Sequence, residues 1–315
     1  MEKCAENYGQ KMLPMKVSVI IPTRNRAGIL KKTLGRLVKE GGFSEIIVVD
    51  GASEDETAEV VESFMKSCKY VKIKYHRSHK REGSPKASNI GMKLADGDIL
   101  VRFDDDMIIK DKGSFDAAIK DFDNNPKIGV IGGKRIEVLK PSVDPPFYLR
   151  YGDILTKLTG YVFLDKFSGI RMAEFVSAPF FVRREIAEVV HYDENYGGTA
   201  FREESDFQQQ VKQKRWKCLF EPKFEVYHFG QEEGGNRGQI FRRRMYWKAR
   251  NHTYFLFKNF SNNKIILSWY IVCGLFILIL YTPQFFKRIL NGFNDGMRLF
   301  FSVTNPIKVP HFDRS

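Results

Sequence analysis

Along the first 110 residues, short apolar runs ending in polar breaks alternate with stretches of helical period. Val17–Thr23 is continuously apolar but for Ser18 and is closed by Pro22-Thr23, which predicts a buried strand. Ile29, Leu30, Leu34, Leu37 and Val38 follow at helical spacing until Gly41-Gly42 stop the helix. Glu45–Asp50 predicts a second strand ending in an acid. Ser53 and Glu56 read as a capping box opening a helix with Val60, Val61, Phe64 and Met65 on its inner face. Val71–Tyr75 predicts a third strand, Ala87, Ile90, Met92 and Leu94 a third helix, and Asp98–Asp106 a fourth strand ending in three carboxylates. The order β-α-β-α-β-α-β predicts a parallel sheet with right-handed crossovers.

The pattern loosens after residue 110. Phe115–Phe122 reads as a helix, and Ile128–Ile136 as a strand broken by Gly132-Gly133. Pro141–Gly169 carries the prolines and glycines of loops with short helices, and Phe175–Val182 is an apolar strand. Tyr192–Gly198 reads as a turn, Arg202–Asp206 opens a helix through Phe207 and Val211, and Cys218–Phe229 is extended. A basic, aromatic stretch, Arg242–Arg250, precedes Ile265–Phe286, which has no charged residue. That length matches the ~30 Å apolar core of a bilayer. Lys264 and Lys287-Arg288 bracket it, and Trp269, Tyr270 and Tyr281 stand near its ends as interfacial anchors do. Pro283 shortens the helix, so it either spans the membrane or lies in its interface. From Phe285 to Phe301, apolar and basic residues interleave as in a surface-lying amphipathic helix.

Composition adds a direction. The 315 residues carry a formal net charge of +13, which favours anionic partners. The position of Arg242–Arg250 beside the apolar segment suits anionic lipid better than nucleic acid. By the positive-inside rule the same stretch puts the preceding domain on the cytoplasmic side of a membrane. Cys4, Cys68, Cys218 and Cys273 are far apart, which suggests a reducing compartment rather than a disulfide framework. Met1–Lys16 is polar and does not read as a secretory signal.

The chemistry concentrates where the predicted strands end. Ligands of open α/β sheets bind off the carboxyl ends of the strands. In an extended segment Asp104 and Asp106 point the same way and Asp105 the other, so the outer pair could share a hard cation such as Mg²⁺ or Mn²⁺. A solvated acidic loop has the same sequence appearance. Pro22–Arg26 is not a GxGxxG turn, and no GxxxxGK[ST] loop or GxSxG elbow occurs.

Pro22-Thr23-Arg24-Asn25-Arg26, Val48–Ser53, Asn89-Ile90-Gly91 and Phe103–Asp106, in this order, resemble the family-2 glycosyltransferases. Arg202–Asp206 is similar to that family's Glu-Asp-x-Asp motif, with Glu204 where Asp is usual. The resemblance implies an α/β, GT-A type nucleotide-diphospho-sugar transferase fold with a mainly parallel mixed sheet, followed by C-terminal membrane-associated helices. It divides the chain into an extension (1–15), a catalytic domain (16–230, with a nucleotide-sugar half to residue 110), a basic segment (231–264), a membrane helix (265–286) and an amphipathic tail (287–315).

The implied activity is inverting, metal-assisted transfer from a nucleoside-diphosphate sugar to a lipid-linked or glycan acceptor. Pro22, Thr23, Asn25, Arg26, Asp50, Lys86, Asn89, Asp104, Asp105 and Glu203 would bind substrate. Asp104, Asp106 and His228 would hold Mg²⁺ or Mn²⁺, and Glu204 would be the base, with Glu203 or Asp206 as alternatives. A sugar-nucleotide nucleotidyltransferase would carry a Gly-rich basic loop after strand one, which Pro22–Arg26 is not. A non-enzymatic basic membrane or nucleic-acid-binding protein is the remaining alternative.

Overall fold

A computed structural model describes residues 15–111, 113–138, 146–163, 169–230 and 241–304. Most of the extension, part of Pro141–Gly169, the start of the basic segment and the end of the tail lie outside these residues.

The first half follows the predicted alternation: β1 (Val17–Thr23), α1 (Ala27–Glu40), β2 (Glu45–Asp50), α2 (Thr57–Ser67), β3 (Lys72–Arg77), α3 (Ser84–Leu94) and β4 (Ile99–Arg102). β3, β2, β1 and β4 are adjacent and parallel. Helices cover the sheet, which is why β1 and β2 are apolar almost throughout: Val19, Ile21 and Ile46–Val49 are fully buried. α3 lies close on this sheet. A Cβ on Gly91 would come within 2.2 Å of Ile20 Cγ2, so only glycine fits there.

Two local readings change. Ser53 does not cap α2. Its hydroxyl donates to Asp50 Oδ1 (2.6 Å) and accepts from Asn25 N (2.9 Å), while Asp55 accepts from Thr57 N. With the helix opening at Thr57, Met65 turns outward and is 44% exposed. The Asp98–Asp106 strand also ends early. β4 stops at Arg102, the acids form a turn closed by Met107 N on Asp104 O, and β5 (Met107–Ile109) joins a different neighbour.

The second half builds outward from β4 through α4 (Gly113–Asn124), β6 (Ile128–Glu137), α5 (Pro146–Thr159), β7 (Arg171–Ala173), β8 (Phe180–Arg183), α6 (Arg184–Ala187), α7 (Glu203–Gln213) and β9 (Lys217–His228). The sheet order is β3-β2-β1-β4-β8-β6-β9-β5, with β7 on β9. β8 is antiparallel to β4 and β6, and β5 to β9, so the sheet is mixed. β6 is not broken at Gly132-Gly133. It continues through a register shift against β9, where a Cβ on Gly133 would strike Phe224 O. Residues 146–159 form one helix rather than loops, with Pro146 at its first turn, where a missing N–H costs nothing. Phe175–Ala178 is not sheet. The Val176 peptide is instead bonded at N and O by the Gln208 side chain (2.7 and 2.6 Å).

Three helices complete the molecule: α8 (Phe241–Phe260), α9 (Lys264–Tyr281) and α10 (Phe286–Thr304). α9 is long and apolar enough to cross a membrane by length and composition. It ends before Pro283, as expected. α10 does not lie free as a surface helix. Ile289, Gly292 and Gly296 are buried on α8, the two glycines against the carbonyls of Tyr246 and Arg250. The aromatic residues of the basic stretch are consumed in packing: Trp247 sits on Gly197-Gly198, and the Tyr246 hydroxyl donates to Asp295 (2.7 Å).

Candidate active site

Strand register assembles the acidic centre. β5 and β6 flank β9 so that Met107 and Glu137 both pair with His228. Phe229 N donates to Asp106 O (2.9 Å), which fixes the aspartate turn beside the end of β9. One ligand atom each from Asp104, Asp106 and His228 then lie within 4.8 Å of one another. His228 Nδ1 is 2.6 Å from Glu137 Oε2, which leaves Nε2 directed at Asp106 Oδ1, 3.4 Å away. A carboxylate behind an imidazole is the usual support of a metal-bound histidine, fixing its tautomer and orientation. Two carboxylates and one imidazole suit a divalent cation of the Mn²⁺ type. Burial disfavours the histidine's charge, but Asp106 and Glu137 outweigh it and raise its pKa.

Asp105 faces away from this cluster. It accepts from Thr23 Oγ1 (2.8 Å) and from Arg26 Nη1 (2.7 Å), whose guanidinium also lies 3.3 Å from Asp106. Burial pushes the Asp105 carboxyl up to about 6 despite Arg26. Arg102, the one charge within β4, is buried and donates to Asp104 (2.6 Å), Ser84 and Ser88. A lone arginine in an otherwise apolar strand, Ile99-Leu100-Val101-Arg102, is the sequence signal that marks it, because a buried cation needs an acidic partner nearby.

These groups line one cleft of about 1040 Å³, along with Pro22, Thr23, Glu203, Glu204 and, across from them, residues of α8 and α9. Such a volume is at the upper end for ligand sites and leaves room for two substrates. Glu204, at the first turn of α7, is half-buried, and its Oε2 accepts from Ala178 N (3.1 Å). Burial, with Asp104 nearby, raises its pKa. Glu203 accepts from Ser84 Oγ (3.0 Å), and burial lifts it to about 8. Asp206 does not line the cleft. It is fully buried and held by Lys258 (2.7 Å), Asn259 (3.0 Å) and Gln210 (3.0 Å), locking α7 to α8.

Four of the expected substrate contacts do not line the cleft. Asp50 is fully buried, and its oxygens bond Ser53 and the Tyr75 hydroxyl. Asn25 accepts from Glu54 N and shapes the turn before α1. Lys86 pairs with Glu82 one turn away on the surface. Asn89 ties α3 to the backbone of Tyr192 through both its amide atoms. All four bond neighbouring protein groups, a placement their residue types do not announce.

The sequence matches the profile described as Glycosyl transferase family 2 over residues 18–190, more than half the chain. The chain belongs to this family. It is 31% identical over 120 residues to the poly-beta-1,6-N-acetyl-D-glucosamine synthase of Staphylococcus epidermidis, covering 37% of this chain and 28% of that protein. It is 33% identical over 178 residues to the dolichol-phosphate mannosyltransferase of Pyrococcus furiosus, covering 56% and 48%. The chain thus spans less than half the length of either relative. Its fold is similar to that of a mannosyltransferase from Pyrobaculum calidifontis solved with GDP-Man and Mn²⁺, with a TM-score of 0.61 and 17% identity over 93% of this chain and 81% of that one.

Proposed function

We propose that this family-2 member is an inverting glycosyltransferase that moves a sugar from a nucleoside-diphosphate sugar to the hydroxyl of a lipid-linked or glycan acceptor at a membrane surface. The observation that carries the reading is the meeting of Asp104, Asp106 and His228 with Glu204 along one cleft. Asp104, Asp106 and His228 would hold a divalent cation, which neutralises charge on the departing diphosphate when bound. Thr23 and Arg26 fix Asp105 and so orient the acidic turn. Glu204 takes the acceptor hydroxyl's proton as that oxygen attacks the anomeric carbon opposite the diphosphate. Its raised pKa brings it nearer the working pH of a general base. The donor and Mn²⁺ of the P. calidifontis neighbour support this assignment.

Ligand-induced stabilisation tests it. A panel of UDP- and GDP-sugars is added to the full chain in detergent, with Mn²⁺ or with EDTA. At 100 times Kd the native state gains about 2.7 kcal/mol, a readable rise in Tm. At least one sugar nucleotide is expected to stabilise only with Mn²⁺; a panel without any such shift overturns the reading.

The membrane assignment rests on α9. Ile265, Trp269, Val272, Phe276 and Leu280 form an exposed stripe at helical period. The opposite face, with Leu267, Gly274 and Leu278, is buried. Exposed Ile154 and Leu158 of α5 extend the stripe, and Trp269 Nε1 donates to Leu158 O (2.7 Å). A helix with one face on the protein and one apolar face outward is suited to lie in the interface, flanked by Lys264 and Lys287-Arg288. Flotation with vesicles containing anionic lipid is expected for the wild type and lost on Trp269→Asp with Phe276→Asp. Flotation that survives the double substitution removes α9 as the docking face.

A further inference from the structure

The cleft has a second charged end, formed by α8, the start of α7 and the end of α9. Lys248 lines it, its ammonium 5.5 Å from the centre of the Phe201 ring. No described residue gives Lys248 a hydrogen bond or an ion pair. The charge that bears on it is Arg244, one turn earlier on α8 and also lining the cleft; burial and this like charge hold the lysine below its ordinary pKa. Cations at i and i+4 on one helix face repel.

Arg202 lies behind them. It is 4% exposed and holds a left-handed backbone (φ 77°), a strained choice for a residue other than glycine. Its guanidinium stacks 3.8 Å from the Phe255 ring and donates from Nη2 to Gly160 O (2.8 Å). Nε and Nη1 are buried with no hydrogen-bond partner. Burial draws its pKa down to about 10. A buried guanidinium with two unsatisfied nitrogens is costly, and such arrangements gather at binding sites. Asp206 and Glu174 feel the charge of Arg202, whereas Arg26 and Arg102 are the cations matched to Asp104–Asp106. The walls beside Lys248 are apolar and aromatic, from Tyr161, Ile277, Leu278 and Tyr281.

We propose that this end is an anion subsite that binds a phosphate or diphosphate group carried by the acceptor, with Lys248 in contact and Arg202 and Arg244 supplying the surrounding positive field. Calling the ligand the acceptor rests on the glycosyl-transfer reading; the anion subsite itself does not. Apolar walls suit an acceptor whose phosphate is joined to a hydrocarbon chain, and α9 runs from these walls to its exposed stripe.

The test uses the full chain in detergent with EDTA present, so that no metal assists diphosphate binding at the aspartate end. The probes are inorganic pyrophosphate and farnesyl diphosphate, followed by calorimetric titration. Wild type is expected to bind, Lys248→Met to bind at least tenfold more weakly, Lys248→Arg to recover affinity, and Asp106→Asn to match wild type. Arg202 is too buried for a clean test, which is why half-buried Lys248 carries it, with circular-dichroism melts confirming a native fold. Tighter binding of farnesyl diphosphate assigns a lipid-borne phosphate; equal binding assigns the phosphate of a soluble glycan. Unchanged affinity in folded Lys248→Met, no binding by wild type, or loss of binding in Asp106→Asn overturns the subsite. Sugar-nucleotide stabilisation with Mn²⁺ is read separately, and its absence defeats the transfer reading without touching this one.

Discussion

Asp106→Ala is expected to abolish Mn²⁺-dependent stabilisation by sugar nucleotides and to lower transfer by roughly 10²–10³-fold, the scale of losing one preorganised electrostatic group at a reacting centre. Asp106 is fully buried, and its carboxylate lies between His228 Nε2 at 3.4 Å and Arg26 at 3.3 Å. Removing it leaves two of the three ligand groups and leaves His228 still held by Glu137. The fold has reason to survive, because Arg26 retains Asp105 at 2.7 Å. Folded protein with no metal-dependent ligand response is therefore the diagnostic result. Isothermal titration with Mn²⁺ and sugar nucleotide, alongside product assay, measures both parts. Wild-type turnover in the folded variant would remove the aspartate turn from the chemistry.

Glu204→Gln is expected to lower kcat by about 10²–10⁴-fold while sugar-nucleotide binding stays near wild type. Glutamine keeps the size of the side chain and an oxygen able to accept from Ala178 N, so the loss isolates proton transfer from packing. The pH profile supplies an independent sign. A base must be ionised to act, and burial together with Asp104 raises the pKa of Glu204. Activity is then present above that raised pKa and lost as pH falls through it, at a pH above the ordinary glutamate range. That acid limb is expected to vanish from the residual activity of Glu204→Gln. A variant with full kcat shifts the role to Glu203, the other acid at this helix start that lines the cleft.

The parallel strands and the aspartate turn that follows them were the legible part of this chain. Parallel strands buried on both faces read as unbroken apolar runs, and Val19–Ile21 and Ile46–Val49 announce themselves that way. The polar residues near the strand ends were harder to read. Asp50, Asn25, Lys86 and Asn89 have the residue types of ligand contacts, and within the protein they bond Ser53, Glu54, Glu82 and Tyr192. Hydrogen-bond choice between a ligand and a neighbouring backbone is decided by geometry over a few ångströms, which spacing along the chain does not encode. Glu137 illustrates the long-range version. It supports His228 only because β6 and β9 pair in one particular register, ninety-one residues apart. The period of α10 correctly marked an apolar face, but not that glycines 292 and 296 would let that face meet α8 instead of lipid.

The wall formed by α8 and α9 stands outside the stretch that identifies the family. The family match covers residues 18–190, whereas Lys248, Ile277, Leu278 and Tyr281 come from beyond it. One side of the cleft is thus furnished by a segment outside the family match, as are Glu203, Glu204 and His228. Kinship over residues 18–190 therefore describes the aspartate turn and the strands behind it, not the groups that stand across the cleft from them.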